Sequence, residues 1–264
     1  MRAPAILLAA ALACCPLAAD DLSGHCGAGW PLGPKPTVDA GDDDFDGAFT
    51  APWVVTEGDA GTVDLLRRTS QPIEVYDLTT LPGVMLLQSG PNRHSAASPN
   101  QVTMYQDLTL ADGQSVTWAI AASAGALENG TNFGVWLSNS TTSPYAAPTY
   151  SPYVSIQIDA ETRQMYRMNS TANNAHLSQT QPDQTSNTEE IVLQRIVRQG
   201  LTYTLFWSNN WGLTWSNIGT VTEPVELTKL WIASQSFAYQ SSLFTIPVHT
   251  ILWICLGGND YNPW

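Results

Sequence analysis

Cationic residues are scarce in this chain. Ten Lys and Arg stand against 23 Asp and Glu in 264 residues, for a net charge of −13. Binding to phosphate backbones needs clustered cations, so the balance argues against nucleic acid and against anionic membrane surfaces. The densest basic spots, Arg67-Arg68 and Arg195/Arg198, read as solvated strand edges. The histidines are few and scattered (His25, His94, His176 and His249), and they form no metal-ligand spacing with cysteine. No G-x-S-x-G nucleophile motif is present. Beyond residue 20 no stretch approaches the ~20 apolar residues of a membrane span, and no segment keeps a helical period. With only 12% charged residues, the surface must be neutral-polar, built from Ser, Thr, Asn and Gln.

The chain divides by texture. Residues 1–19 (MRAPAILLAAALACCPLAA) place one Arg before an apolar run that ends in small residues, the grammar of a secretory signal. Cleavage after Ala19 is one reading. Cleavage after Ala13, exposing Cys14, is a second, and a retained apolar peptide a third. Residues 20–41 are a Gly/Pro-rich linker or arm, residues 42–258 the folded unit, and residues 259–264 a tail. Cleavage at Ala19 leaves only Cys26 and Cys255, which flank the folded unit. They either form a bridge in an oxidising compartment, or Cys255 is a buried apolar residue. The expected location is secreted, with the virion surface as the alternative.

From residue 42 onward, short runs rich in Val, Ile, Thr, Tyr and Trp alternate with turn residues, the pattern of an all-β protein. The runs are 52–56, 62–66, 74–76, 84–88, 101–108, 115–122, 133–137, 153–158, 164–168, 191–198, 201–207, 215–218, 229–235 and 246–255. Strands in this number predict two stacked sheets. Two hairpins are marked by their tips, Asp159-Ala160-Glu161-Thr162 and Ser208-Asn209-Asn210-Trp211-Gly212. Trp53, Trp118, Trp136, Trp231 and Trp253 are expected in the core, and Trp207 and Trp215 as a cross-strand pair.

Some of these residues carry a resemblance. Asp43-Asp44-Phe45-Asp46-Gly47 followed by Trp53 resembles the opening strand of concanavalin A-like, laminin-G-type jelly rolls. Arg198-Gln199-Gly200-Leu201-Thr202-Tyr203, then Phe206, Ser208, Gly212 and Trp215, resembles that superfamily's R-x-G-x-x-Y … S-x-D-G-x-x-W hairpin, with Asn209-Asn210-Trp211 in place of Asp-Gly. The resemblance implies a two-sheet antiparallel jelly-roll sandwich over 42–258. Val75-Tyr76-Asp77-Leu78, Leu81-Pro82-Gly83 and the closing stretch from Leu256 to Trp264 are similar to modules of tailed-phage fibre and virion proteins.

Laminarinase-type glucanases of the superfamily carry Glu-x-Asp-x-Glu or Glu-x-Asp-x-x-Glu on one strand. The nearest match here is Gln157-Ile158-Asp159-Ala160-Glu161. Retaining hydrolysis needs two carboxyls, and Gln157 stands at the nucleophile position. Glu189-Glu190 reads as a solvated loop end, since adjacent strand residues face opposite sides. The sequence therefore predicts a non-enzyme. It predicts no cofactor beyond calcium, for which Asp42, Asp44 and Asp46 are the candidate ligands and a solvated acidic linker is the alternative.

The aromatic residues suggest the binding chemistry. Trp211 stands at a hairpin tip between Asn209, Asn210 and Gly212, and Tyr145, Tyr150 and Tyr153 punctuate the polar loop 138–153. Rings stack on sugar C–H faces while amides reach hydroxyls. Trp211, Asn209, Asn210, Tyr145, Tyr150 and Tyr153 are thus the candidate contacts to a glycan or cell-surface polysaccharide. The competing reading packs these rings on their own loops or on a second copy. A carbohydrate-binding or adhesive module is set against a structural virion or filament subunit, and both against a laminarinase-type hydrolase.

Overall fold

The computed structural model describes residues 43–45, 47–49, 51–63, 74–81, 83–89, 100–121, 131–142, 152–159, 164–169, 191–208, 214–236 and 249–257. Among them are fourteen strands and no helix. In chain order the first seven are β1 Val54–Glu57, β2 Asp59–Ala60, β3 Glu74–Asp77, β4 Met85–Ser89, β5 Asn100–Asp107, β6 Ser115–Ala121 and β7 Thr131–Ser138. The rest are β8 Tyr153–Asp159, β9 Gln164–Asn169, β10 Ile191–Gln199, β11 Thr202–Ser208, β12 Ser216–Thr222, β13 Lys229–Ser236 and β14 His249–Gly257. They form a six-stranded sheet, β1-β5-β13-β7-β8-β9, and an eight-stranded sheet, β12-β11-β10-β6-β14-β4-β3-β2. Every pair is antiparallel except β2 with β3.

The two sheets face each other across one apolar layer. Met104, Val135, Ile156 and Ile232 come from one side, and Met85, Trp118, Ile196 and Tyr203 from the other, all fully buried. Each such side chain contributes about 1.5–3 kcal/mol by leaving water. The layer contains polar contacts as well. Ser89 and Ser234 share a 2.8 Å hydroxyl bond between the sheets, and Trp118 Nε1 donates to Gln194 Oε1 at 2.7 Å.

The expected strands recur with one substantial exception. Residues 62–63 are not strand, and 64–66 lie outside the described residues. The chain pairs instead at β2, which Gly58 and Gly61 limit to two residues. Gly58 has φ +94 and backs onto Val102, where a Cβ would come within 3.1 Å.

Three features of the resemblance acquire a physical meaning. Asp43 is buried, pairs by its backbone with Ile254, and accepts from Phe45 N–H (2.9 Å), Ala51 N–H (3.1 Å) and Trp53 Nε1–H (2.9 Å). It thereby holds Phe45 in the left-handed region at φ 54. Asp77 accepts from the N–H of Val63, Thr79 and Thr80 and from both threonine hydroxyls. Burial alone would raise its pKa, but these donors win and bring it down to about 2. Arg198 pairs with Glu226 and donates to the Leu110 carbonyl, while the Tyr203 hydroxyl accepts from Leu227 N–H at 2.9 Å.

Several expectations need correction. Arg195 and Arg198 are not on solvated edges, because β10 lies inside its sheet. Arg195 is buried, donates to Thr117 Oγ1 (2.8 Å) and lies 4.1 Å from the Trp215 ring centre. Trp207 packs on the inner layer whereas Trp215 lies with outward-facing Arg195, so the two do not pair. Trp53 is only half-buried. The Trp253 side chain and Arg67-Arg68 lie outside the described residues. Cys255 is disulfide-bonded. Its partner lies outside the described residues, and the other cysteines of the chain are Cys14, Cys15 and Cys26.

Candidate functional site

Residues directly opposite one another in a sheet share a face. The register of the six-stranded sheet therefore orders its outer face into rows across β5, β13, β7 and β8. The first row is Asp107, Lys229, Ser138 and Tyr153, and the second Tyr105, Trp231, Trp136 and Ser155. The third row is Thr103, Ala233, Gly134 and Gln157, and the fourth Gln101, Gln235, Asn132 and Asp159. Successive rows stand about 6.7 Å apart along the strands. A band of small residues across three strands thus separates an aromatic band from a row of amides ending in one carboxylate.

The aromatic band is packed within itself. Ring centres lie 4.8 Å apart for Tyr105–Trp231 and 4.9 Å for Trp136–Tyr153, and Trp231 Nε1 donates to the Ser140 carbonyl at 3.1 Å. Trp136, Tyr153, Trp231 and Ala233 form a buried cluster separate from the layer between the sheets. This corrects the placing of Trp136 and Trp231 in the main core. Alternation assigns residues to a common face but does not say which face meets the second sheet.

It also corrects Tyr153. The ring is 3% exposed and rests on Trp136, so it offers no face to a ligand. Burial, followed by the nearby Glu223, pushes its hydroxyl up to about 12. Glu223 is 1% exposed, and neither carboxyl oxygen has a hydrogen-bond partner. Burial moves it up to about 8.

Asn209, Asn210, Trp211, Tyr145 and Tyr150 lie outside the described residues, but the strands bounding their loops do not. The loop with Tyr145 and Tyr150 leaves β7 at Ser138 and enters β8 at Tyr153, beside the first row. The loop with Trp211 leaves β11 at Ser208, the end of that strand remote from Tyr203, which is tied to Leu227 near the first row. The fourth row lies at the end of β7 and β8 remote from Ser138 and Tyr153.

Asp42 and Asp46 are outside the described residues, and Asp44 is half-buried. Among the described residues no group of three or more His, Cys, Asp or Glu is placed to hold a metal ion. Asp43, in the same acidic run, is committed to N–H donors. Glu161 and Glu189-Glu190 are outside the described residues, and Gln157 and Asp159 occupy adjoining rows of the same face.

No family model matches the sequence, and no curated protein does. Solved structures do. One is a prokaryotic β-1,3-1,4-glucanase (lichenase) derived from a mouse hindgut metagenome, at 12% identity and TM-score 0.52, covering 82% of this chain and 97% of that one. Another comes from work on endo-acting O-glycanases of the human gut microbiota that initiate mucin breakdown, at 10% identity and TM-score 0.53, covering 82% and 98%. A third is an immunostimulatory antigen and pseudo β-1,3-glucanase of Mycobacterium tuberculosis, at 13% identity and TM-score 0.50, covering 82% and 97%. At such identities the likeness is one of fold, and it gives the chain the concanavalin A-like jelly-roll fold. The expectation of a non-enzyme is overturned here. The similar structures include glycoside hydrolases, so the fold is one on which such chemistry is carried. An amide at Gln157 speaks only to one register position.

Proposed function

We propose that the chain is a carbohydrate-directed protein working outside the cytoplasm, and that it engages a neutral glycan on the outer face of the six-stranded sheet, at its fourth-row end. The observation that carries this reading is the row order of the outer face. Gln101, Gln235, Asn132 and Asp159 stand in register as a row of three amides and one carboxylate, beside a band of small residues; Gln101 itself is buried. Amides bond sugar hydroxyls without requiring charge, and the shortage of cations disfavours acidic glycans. The signal-like residues 1–19 and the Cys255 disulfide support a location in an oxidising compartment.

The test is retention on immobilised neutral polysaccharides, with the same incubations assayed for new reducing ends. Trp211→Ala and Asn132→Ala should each weaken retention about tenfold, the usual cost of removing an anchor, whereas Tyr150→Ala, in the loop between β7 and β8, should not. Loss confined to Tyr150→Ala would move the site to the first row. Reducing ends that appear with wild type and disappear with Asp159→Asn would make the same face a hydrolase site.

A second reading, a self-associating virion or filament subunit, draws support from β1. This strand ends the six-stranded sheet and leaves Val54 46% exposed, and open strand edges invite pairing. Light scattering separates the two readings. Assembly that rises with concentration and is abolished by Val54→Lys would favour the subunit.

A further inference from the structure

The loop 223–228 carries the chain from β12 of one sheet to β13 of the other. It is held by specific bonds. Glu223 N–H donates to Leu201 O (2.9 Å), Leu227 N–H to Tyr203 Oη (2.9 Å), and Thr228 N–H to Asn139 Oδ1 (2.9 Å). Asn139 Nδ2 returns a bond to Glu226 O at 2.7 Å. Within this network the Glu223 carboxyl is sealed from water, with neither oxygen hydrogen-bonded.

The titratable groups facing it are Tyr153 from β8 and Tyr203 from β11; Arg198 from β10 and Glu226 from its own loop act in turn on Tyr203. Arg198 is paired with Glu226, and Lys229 at the same end with Asp107. A charge on Glu223 would thus be buried without a hydrogen-bond donor, beside cations already paired with other carboxylates, and the cost of burying such a charge is large. A neutral carboxyl meets no such cost.

We propose that Glu223 makes loop 223–228 a pH-sensitive latch between the two sheets, shut while its carboxyl is neutral and released when it ionises. Release lets the carboxylate reach water, breaks the Leu227–Tyr203 bond and frees the loop beside Tyr153. The raised pKa, about 8 against an ordinary 4.5, agrees with this geometry. By linkage, opening becomes up to tenfold more frequent per pH unit between those two values and levels off above them.

Hydrogen exchange on the full chain tests the latch, with each amide corrected for its intrinsic rate. From pH 5.5 to 7.5 the opening measured at Leu227 should rise at least tenfold, while Ile232 in β13 stays unchanged. In Glu223→Gln the Leu227 value should be flat over the same range. Three results would overturn the proposal: no rise at Leu227 in wild type, an equal rise in Glu223→Gln, or a parallel rise at Ile232, which would mean global unfolding.

Discussion

Asp77 and Glu223 are both 1% exposed, yet their loops treat them in opposite ways. The 77–80 turn aims four donors at Asp77 and Val63 adds a fifth, so that it stays ionised down to about pH 2. The 223–228 loop aims none at Glu223, which stays protonated up to about pH 8. Burial raises both carboxyls, so the difference lies in the donors. The consequences for stability have opposite sign. Asp77 has a lowered pKa, so its contribution is complete above its ordinary 3.8 and is lost as pH falls through about 2. Glu223 has a raised pKa, so the fold suffers nothing below its ordinary 4.5 and loses stability as pH climbs towards about 8. Between them the two groups place the stability maximum near pH 4–5.

The harshest test of this contrast is Asp77→Ala, which strands the donors of Val63, Thr79 and Thr80 at once. Urea unfolding at pH 6 should show a loss of about 3 kcal/mol or more, with the acid limb of the stability curve flattened. Next is Glu223→Gln. Its stability should equal wild type at pH 4 and exceed it by about 4 kcal/mol at pH 8, since the rise from 4.5 to about 8 is worth roughly three pKa units at that pH, each about 1.4 kcal/mol. A variant no more stable than wild type at pH 8 would remove the contrast. The smallest effect belongs to Thr80→Val, which deletes only the hydroxyl bond to Asp77. It should cost about 1 kcal/mol and shift the acid limb slightly towards neutral pH.

Much of the sandwich was legible beforehand. Period-two runs and Asn/Gly/Asp turns located nearly every strand, and the DDFDG…PW and R-x-G-x-x-Y stretches proved to be a buried aspartate cap and a buried tyrosine tie. What escaped depends on arrangement in space. β2 is too short to leave a period. The faces of Trp136, Trp231 and Tyr153 depend on which side of their sheet receives the other. Glu223 sits in Thr222-Glu223-Pro224-Val225-Glu226, which reads as an ordinary exposed turn; only the tertiary structure shows its carboxyl to be sealed. The amide row was equally hidden, since Gln101, Gln235, Asn132 and Asp159 come from four strands distant in sequence.

The other cysteines of the chain all lie within its first 26 residues, so a bond made by Cys255 within the chain turns the folded unit into a covalent ring. A protease that cuts any one loop between residues 27 and 254 opens the ring without releasing a fragment. The two pieces stay tethered, and their strands remain interleaved in both sheets. A nicked molecule would migrate as full-length on a non-reducing gel and separate only when the disulfide is reduced. For a protein exposed to proteases, damage that would shed half a domain becomes a cut the remaining structure can hold closed.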